Sequence, residues 1–256
     1  MAKTKNYELL NVKIEDLSSE GKGIVRNEGK VIFVEGGVTG DLVDINVKKN
    51  HKNFEIGKIQ KFHSKSDLRK QPYCMHYEQC GGCKTQHIIY PAQLEWKQAV
   101  VTNAIERIGG FSGVDIRPIL GCLHTEHYRN KLDYAVSNKR WLTYEEANSE
   151  ETFNRNGIGF HLVGMFDKVL DVKQCFHMPD LNNDIRNFIR QKAFDLEISF
   201  YDIMAKKGCL RNILVRNNVK NEWMICMQVF EMEDNFLTLL ECIKNQFPQI
   251  ISLQYT

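Results

Sequence analysis

The stretch Cys74-Met-His-Tyr-Glu-Gln-Cys80-Gly-Gly-Cys83-Lys-Thr-Gln-His87 places three cysteines within ten residues, the last two separated by a glycine pair. A core does not ask for this pattern, because a core cysteine behaves as a small hydrophobe and can sit anywhere. The spacing C-x5-C-x2-C points instead to zinc or an iron–sulfur cluster, both of which take four soft ligands. Gly81-Gly82 lets the backbone turn tightly between the last two thiols. The stretch is therefore one ligand short. The candidates for the fourth are Cys122, Cys175, Cys209, Cys226, Cys242, His76 and His87. Cys226 alternates within an apolar strand pattern and Cys242 lies on an amphipathic helical one, so both read as core. Cys209 opens a strand, and Cys122 follows a glycine in a loop. Cys175 sits in the polar loop Val172-Lys-Gln-Cys-Phe-His-Met-Pro179, where a distant ligand would be presented, and is preferred. His76, His87 and His177 flank the cysteines and read first as hydrogen-bonding or RNA-contacting groups, with a zinc role second.

Upstream of this stretch, short alternating runs (Val12–Glu15, Gly23–Val25, Lys30–Val34, Leu42–Val47) are separated by turns at Gly21, Asn27–Gly29, Gly36-Gly37 and Gly40-Asp41. Even spacing of this kind predicts a small closed β-barrel of OB type. Lys61–Gln71 is polar, ends before Pro72 and reads as a linker. Downstream, Pro91 opens a helix with Leu94, Gln98, Val101, Ile105 and Ile108 on one face, stopped by Gly109-Gly110. Strands are predicted at 128–136, 158–163 and 168–172, and a helix at 182–194. A hairpin follows around Asn217-Asn218, then a helix carrying Phe236, Leu239, Leu240, Ile243 and Phe247, and a strand from Ile250. The fold class expected is α+β, a barrel followed by a mixed α/β domain.

The chain has 256 residues, 43% of them hydrophobic, enough to bury a real core. No apolar run approaches the roughly 18–20 residues of a membrane span. The start, MAKTKNYELL, has no secretory h-region, so a cytoplasmic protein without membrane contact is expected. In that reducing setting the eight cysteines should be thiols or metal ligands. Net charge is only +2, but Ile45–Pro72 holds eight Lys or Arg against two acids, while Met1–Asp44 holds six against eight. Such a concentration suits a polyanion as well as it suits a strand edge protected by lysines. Lys48, Lys49, Lys52 and Lys58 are the candidate RNA contacts there. Arg129 and Lys131 join them, since strand alternation puts both on one face, away from Tyr128 and Leu132. By the same alternation Arg211 and Arg216 face opposite sides. No G-x-G-x-x-G loop and no nucleophile with a plausible adjacent base is present, so no catalytic residue is assigned.

Taken together, the basic barrel, R-K-Q-P-Y-C-x5-C-G-G-C-K-x-Q-H, the Y-P-x-Q-x-x-W-K helix, the Y-R-N-K strand, the D-V-x-x-C loop and L-R-N-x-x-V-R resemble one family. It is the uracil-5-methyltransferases of ribosomal and transfer RNA, nearest to the bacterial 23S ribosomal RNA enzymes. The resemblance implies a TRAM barrel over 1–65 and a linker with a cluster-binding loop over 66–90. The helix at 91–120 belongs, in that family, with the methyltransferase domain. A central domain over 121–248 completes the cluster site, and 249–256 begins a Rossmann-like domain that is otherwise missing. It implies a [4Fe-4S] cluster on Cys74, Cys80, Cys83 and Cys175, and S-adenosylmethionine as methyl donor to uracil carbon 5 after a cysteine thiolate adds to carbon 6. On this resemblance the chain is the N-terminal part of such an enzyme, monomeric, bound to 23S ribosomal RNA and inactive by itself. The alternative is a stand-alone RNA-binding iron–sulfur or zinc protein without catalysis.

Overall fold

The computed structural model describes residues 6–256, with Lys49 and Asn50 described by backbone alone. It divides into two compact units whose boundaries interleave: Met1–Tyr73 with Lys84–Leu123, and Cys74–Cys83 with His124–Thr256. The span 66–90, taken as one piece in the sequence, is thus split at Tyr73 and at Cys83.

In the first unit, β1 (Tyr7–Lys13), β2 (Asp16–Leu17), β3 (Gly23–Asn27), β4 (Lys30–Glu35), β5 (Leu42–Asn50) and β6 (Phe54–Ser64) form a sheet in the order β1-β5-β6-β4-β3-β2. Alternation decides its faces. Val43, Ile45 and Val47 of β5 point inward to Ile14, Val25, Ile32 and Val34, while Asp44, Asn46 and Lys48 point away. The β3–β4 hairpin turns at Glu28-Gly29, both with positive φ (48° and 78°), the backbone that a two-residue primed turn demands. Register shifts at one place along β1/β5 and three along β5/β6 bend the sheet around its core. Asn11 takes φ 54° at the first of these, and its N–H donates to Asp44 Oδ1 at 2.7 Å. The expected closed barrel is therefore a curled sheet: among the described residues no ladder joins β1 to β2. The linker expected from Lys61 is also corrected. β6 continues to Ser64, with Lys61 paired to Asp44 and Phe62 to Val43. Its outer face is polar because it faces water, and the composition concealed the strand.

α1 (Tyr90–Asn103) starts at Pro91 as expected and passes into one π-helical turn, Ala104–Ile108. Its predicted apolar face is not the buried one. Ala92 and Trp96 pack with Leu17, Val38, Ile88, Leu68 and Ile89, and the Trp96 indole N–H donates to Ser18 O at 2.9 Å. Ile108, by contrast, is 87% exposed.

The second unit is a sheet in the order β12-β11-β10-β7-β8-β9, from β7 (Lys131–Ser137), β8 (Gly157–His161), β9 (Val169–Asp171), β10 (Leu210–Asn217), β11 (Trp223–Val229) and β12 (Ile250–Tyr255). The helices α3 (Leu181–Asp195) and α4 (Phe236–Gln246) share a core with the face that carries Leu132, Tyr134, Ile213, Val215, Trp223 and Ile225. A short helix, α2 (Tyr144–Ala147), is closed by a Thr143/Glu146 capping box. β12 lies parallel to β11 and completes this sheet, so residues 249–256 are not a separate beginning.

The first unit turns on Asp41, which is fully buried. It accepts hydrogen bonds from Val38 N–H (2.8 Å), Ser66 N–H (3.0 Å) and Arg69 Nη2 (2.6 Å). Burial pushes its carboxyl up, but the Arg69 guanidinium and the two amides outweigh it and hold it below the usual range. Nearby His87 is pushed down from 6.5 to about 4, first by burial and then by Arg69. Arg69→Met should leave a buried carboxylate uncompensated and cost about 3–5 kcal/mol in chemical unfolding of the whole chain. His87 is held neutral by the fold, so its contribution is complete above 6.5 and is lost as pH falls toward about 4. The thermal midpoint should drop across that window, and His87→Gln should flatten the drop.

Candidate functional site

All four cysteines of the expected ligand set fall within the second unit. The first three are set by a compact turn: Tyr77 N–H donates to Cys74 O (3.1 Å) and Cys80 N–H to His76 O (2.9 Å). The turn then lies along the end of β8, where Cys80 bridges Leu162 and Gly81 N–H donates to His161 O at 3.0 Å. A Cβ at Gly81 would stand 2.7 Å from that same oxygen, so only glycine allows the approach. Gly82 N–H points at Cys80 Sγ (3.4 Å).

Cys175 is positioned from the opposite side by α3. Asn183 Oδ1 accepts from Cys175 N–H (2.7 Å), and Asn183 Nδ2 donates to Cys175 O (3.3 Å). Asn182 Nδ2 donates to Met178 O (3.1 Å) and Pro179 O (2.7 Å), and its Oδ1 accepts from Tyr134 OH (2.5 Å). Arg186 Nη2 donates to Lys173 O at 2.6 Å. Three buried polar side chains thus fix the seven-residue loop Lys173–Pro179, and Tyr134 joins them through Asn182.

Cys80 and Cys175 are buried. Burial pushes the Cys80 thiol up to about 11; Gly82 N–H opposes this, while Cys83, Cys175 and Cys74 add to it. Burial likewise raises Cys175, with Cys83 and Cys74 contributing. Cys80 and Cys175 therefore each lie within electrostatic reach of Cys74 and Cys83. None of the eight cysteines is in a disulfide. Among the described residues no three His, Cys, Asp or Glu side chains converge tightly enough to hold one metal ion.

The other candidate ligands are placed elsewhere. His76 Nε2 accepts from Lys173 N–H at 3.0 Å, and His87 and Cys122 belong to the first unit. Cys209 is buried in the core, and Cys242 is half-buried on α4. Cys226 is half-buried on the sheet face away from that core, not within it as its alternation suggested. His177 lies closest to the thiols, with Nε2 3.0 Å from Cys83 Sγ. Burial, then Arg129, lowers its pKa to about 4. Tyr134, Asn182, Asn183 and Arg186 were not foreseen. Their signal was present: Asn182 and Arg186 interrupt the helical stripe that Ile185 and Ile189 make apolar.

The candidate RNA contacts are of mixed character. Lys48, Lys52 and Lys58 are exposed, and the side chain of Lys49 lies outside the described residues. Lys48 and Lys58 share the outer face of β5/β6, but Lys58 is paired with Glu35 at 3.0 Å. β7 begins at Lys131, so Arg129 is not on that strand. Its N–H donates to His177 O (2.8 Å), placing it against the Cys175 loop. Lys131 stands directly across from Arg216 of β10. A register shift between Leu210 and Asn212 resets the parity of β10, and Arg211 lies with its guanidinium 5.3 Å above the Tyr201 ring.

Residues 3–59 match the TRAM domain family. The chain is 39% identical over 244 residues to an uncharacterized RNA methyltransferase of Bacteroides thetaiotaomicron, covering 93% of this chain and 54% of that protein. It is 40% identical over 252 residues to one of Porphyromonas gingivalis, covering 95% and 54%. The chain thus spans about half the length of the curated relatives it matches. Among solved structures, the Pyrococcus abyssi tRNA (uracil-54, C5)-methyltransferase in complex with S-adenosyl-L-homocysteine shares the fold with a TM-score of 0.65. Its identity is 23%, over 96% of this chain and 51% of that one. No helix among the described residues is long and apolar enough to cross a membrane.

Asn183→Ala should leave the Cys175 N–H and C=O buried without their side-chain partner, a cost of about 1–3 kcal/mol. The measurement is the unfolding midpoint of the whole chain. Gln191→Ala, which removes an exposed hydrogen bond to Asp195 Oδ1 (2.9 Å), should change it far less.

Proposed function

We propose that the chain belongs to the TRAM-bearing RNA methyltransferases and is the RNA-gripping, cluster-holding part of an S-adenosylmethionine-dependent RNA uracil-5-methyltransferase acting on 23S ribosomal RNA. The observation that carries this reading is a TRAM-matched curled sheet together with Cys80 and Cys175, each within electrostatic reach of Cys74 and Cys83, in one chain aligned along 93–95% of its length with RNA methyltransferases. The Pyrococcus abyssi neighbour, named for uracil C5 methylation and bound to the demethylated donor, favours the same reaction class and donor.

Cys74, Cys80, Cys83 and Cys175 would hold a [4Fe-4S] cluster. They fit it in donor type, number and shared environment. A single ion draws its thiolates to about 2.3 Å from one centre, whereas a cluster gives each thiolate its own iron and spaces them more widely. Cys80 and Cys175 each lie within electrostatic reach of the other thiols of the set, which supports one shared site. When bound, the cluster would supply a covalent tie between the Cys74–Cys83 turn and the Cys175 loop. The protein's own residues do the rest: Asn182 and Asn183 orient the Cys175 loop, and Gly81 seats the turn on β8. Binding requires thiolates, so the raised thiols of Cys80 and Cys175 release protons on loading.

For RNA, Lys48, Lys52 and Lys58 would meet phosphates on the first unit, with Lys49 beside them in sequence. Lys131 and Arg129 would do so on the second. The Lys131–Arg216 pair supports this, because like charges directly opposed on a sheet are unfavourable unless an anion lies between them.

Anaerobically reconstituted protein should hold about four irons per chain and absorb in the visible. Cys175→Ser should lose the iron, and Cys242→Ser should keep it. Stoichiometric zinc without iron would overturn the cluster reading. Uridine-containing single-stranded RNA should bind with a log–log salt slope of roughly −3, since each neutralised phosphate contributes about −0.7. Changing Lys48, Lys49 and Lys52 together to Ala should flatten that slope by about 2. An unchanged slope and affinity would mean the basic stretch is only a solvated edge.

A further inference from the structure

Arg186 is 1% exposed, one of the most deeply buried large side chains in the protein. A buried guanidinium stays charged, and a buried charge is costly unless another charge compensates it. The hydrogen bonds that Arg186 makes do not compensate it. Nη1 donates to Asn183 Oδ1 (3.1 Å) and Tyr134 OH (3.4 Å), and Nη2 to Lys173 O (2.6 Å) and Asn187 Oδ1 (3.1 Å). All four acceptors are neutral. Its carbon centre also stands 5.3 Å over the Tyr134 ring. Among the described residues no carboxylate forms an ion pair with it, and Asp171 is bonded to Arg190 at 2.5 Å.

The missing anion has one address. Arg186 sits at the base of the loop that carries Cys175, bonded to Asn183, which holds both the N–H and the C=O of Cys175. It also stacks on Tyr134, whose hydroxyl donates to Asn182, the second side chain that holds this loop. Four thiolates around an iron–sulfur core outweigh the core's positive charge and leave a net anion. We infer that Arg186 is the buried counter-charge of the four-cysteine site, a positioning residue whose cation compensates the anionic centre and sets its reduction potential. This rests on the cluster reading of those cysteines.

The geometry explains an otherwise unfavourable choice. An apolar residue at 186 would rest against the Tyr134 ring without burying a charge. The arginine is tolerable because the site beside it is negative when filled. Adding an electron makes that site more negative, so a fixed cation nearby favours the reduced form and raises the potential. Removing the cation must lower it. A residue that only props the loop would leave the potential where it was.

The test compares reconstituted full-length parent, Arg186→Met and Arg186→Lys. Their iron content, loss of iron to a chelator, and midpoint potential in a mediated redox titration are measured. Arg186→Met is expected to lose iron about ten- to a hundredfold faster and to show a more negative potential. Arg186→Lys, which keeps the charge without the planar fork, should hold its iron and stay closer to the parent potential. A methionine variant that holds iron with the parent's potential overturns the counter-charge role while leaving the cluster reading intact. A parent that takes up no iron overturns the cluster reading itself. If Arg186→Met does not fold, Arg186→Lys carries the test alone. Retained iron near the parent potential supports the charge, and complete loss of iron shows that the shape of the fork, not its charge, is what the site requires.

Discussion

The hydrogen bonds from the first turns of α3 to the loop Lys173–Pro179 are the constraint on which the second unit depends. A loop in a core carries backbone N–H and C=O groups that must be paired. Here the partners are side chains: Asn182 takes Met178 O and Pro179 O, Asn183 takes both polar groups of Cys175, and Arg186 takes Lys173 O. Tyr134, from the middle of β7, closes the set through Asn182. The loop is therefore irregular and rigid at once, and Cys175 is held buried at a fixed place facing the cysteine turn.

The cysteine turn is fixed by a different means. It has few apolar side chains of its own and is secured by backbone, through the Cys80–Leu162 bridge and the approach of Gly81 to His161 O. Gly81 is thus required by sheet contact, whereas a Cβ at Gly82 would meet only ordinary contacts, the nearest 3.4 Å away at Cys80 Sγ. The same backbone-led placement carries Arg129, whose N–H joins the Cys175 loop at His177 O. A basic side chain expected on a strand face is in fact tied to the thiol-bearing loop.

Charge in the first unit is organised around burial. Asp41 gathers Val38, Ser66 and Arg69 at one point, which secures the chain just past β6 against the β4–β5 connection. The lysines on the outer face are less uniform than a count suggests, since Lys58 is engaged by Glu35 and Lys30 by Glu55. The exposed Lys58–Glu35 pair contributes little to stability, whereas Lys30 is tied to a carboxylate that is itself buried.

Some features were determined by the sequence alone. Of the four runs read in the first sixty residues, three fall on β3, β4 and β5, while Val12–Glu15 overlaps only the end of β1. The helical stripes located α3 and α4, and C-x5-C-x2-C pointed to Cys74, Cys80 and Cys83 as a set, with Cys175 preferred as its fourth member. These are local patterns: strand period, helix period and turn chemistry are set by neighbours in the chain. Other features were decided only in three dimensions. The burying face of α1 turned on which neighbour reached it, so Trp96 and Ala92 are covered while Ile108 is not. The extent of β6 depended on pairing with β5, the side taken by Arg211 on a bulge, and the interleaving of the two units on the route of the backbone. Arg186 looked like one more solvated helical arginine. Only the packing of α3 against the Cys175 loop made it a buried cation, because burial is a property of what surrounds a residue and not of the residue itself.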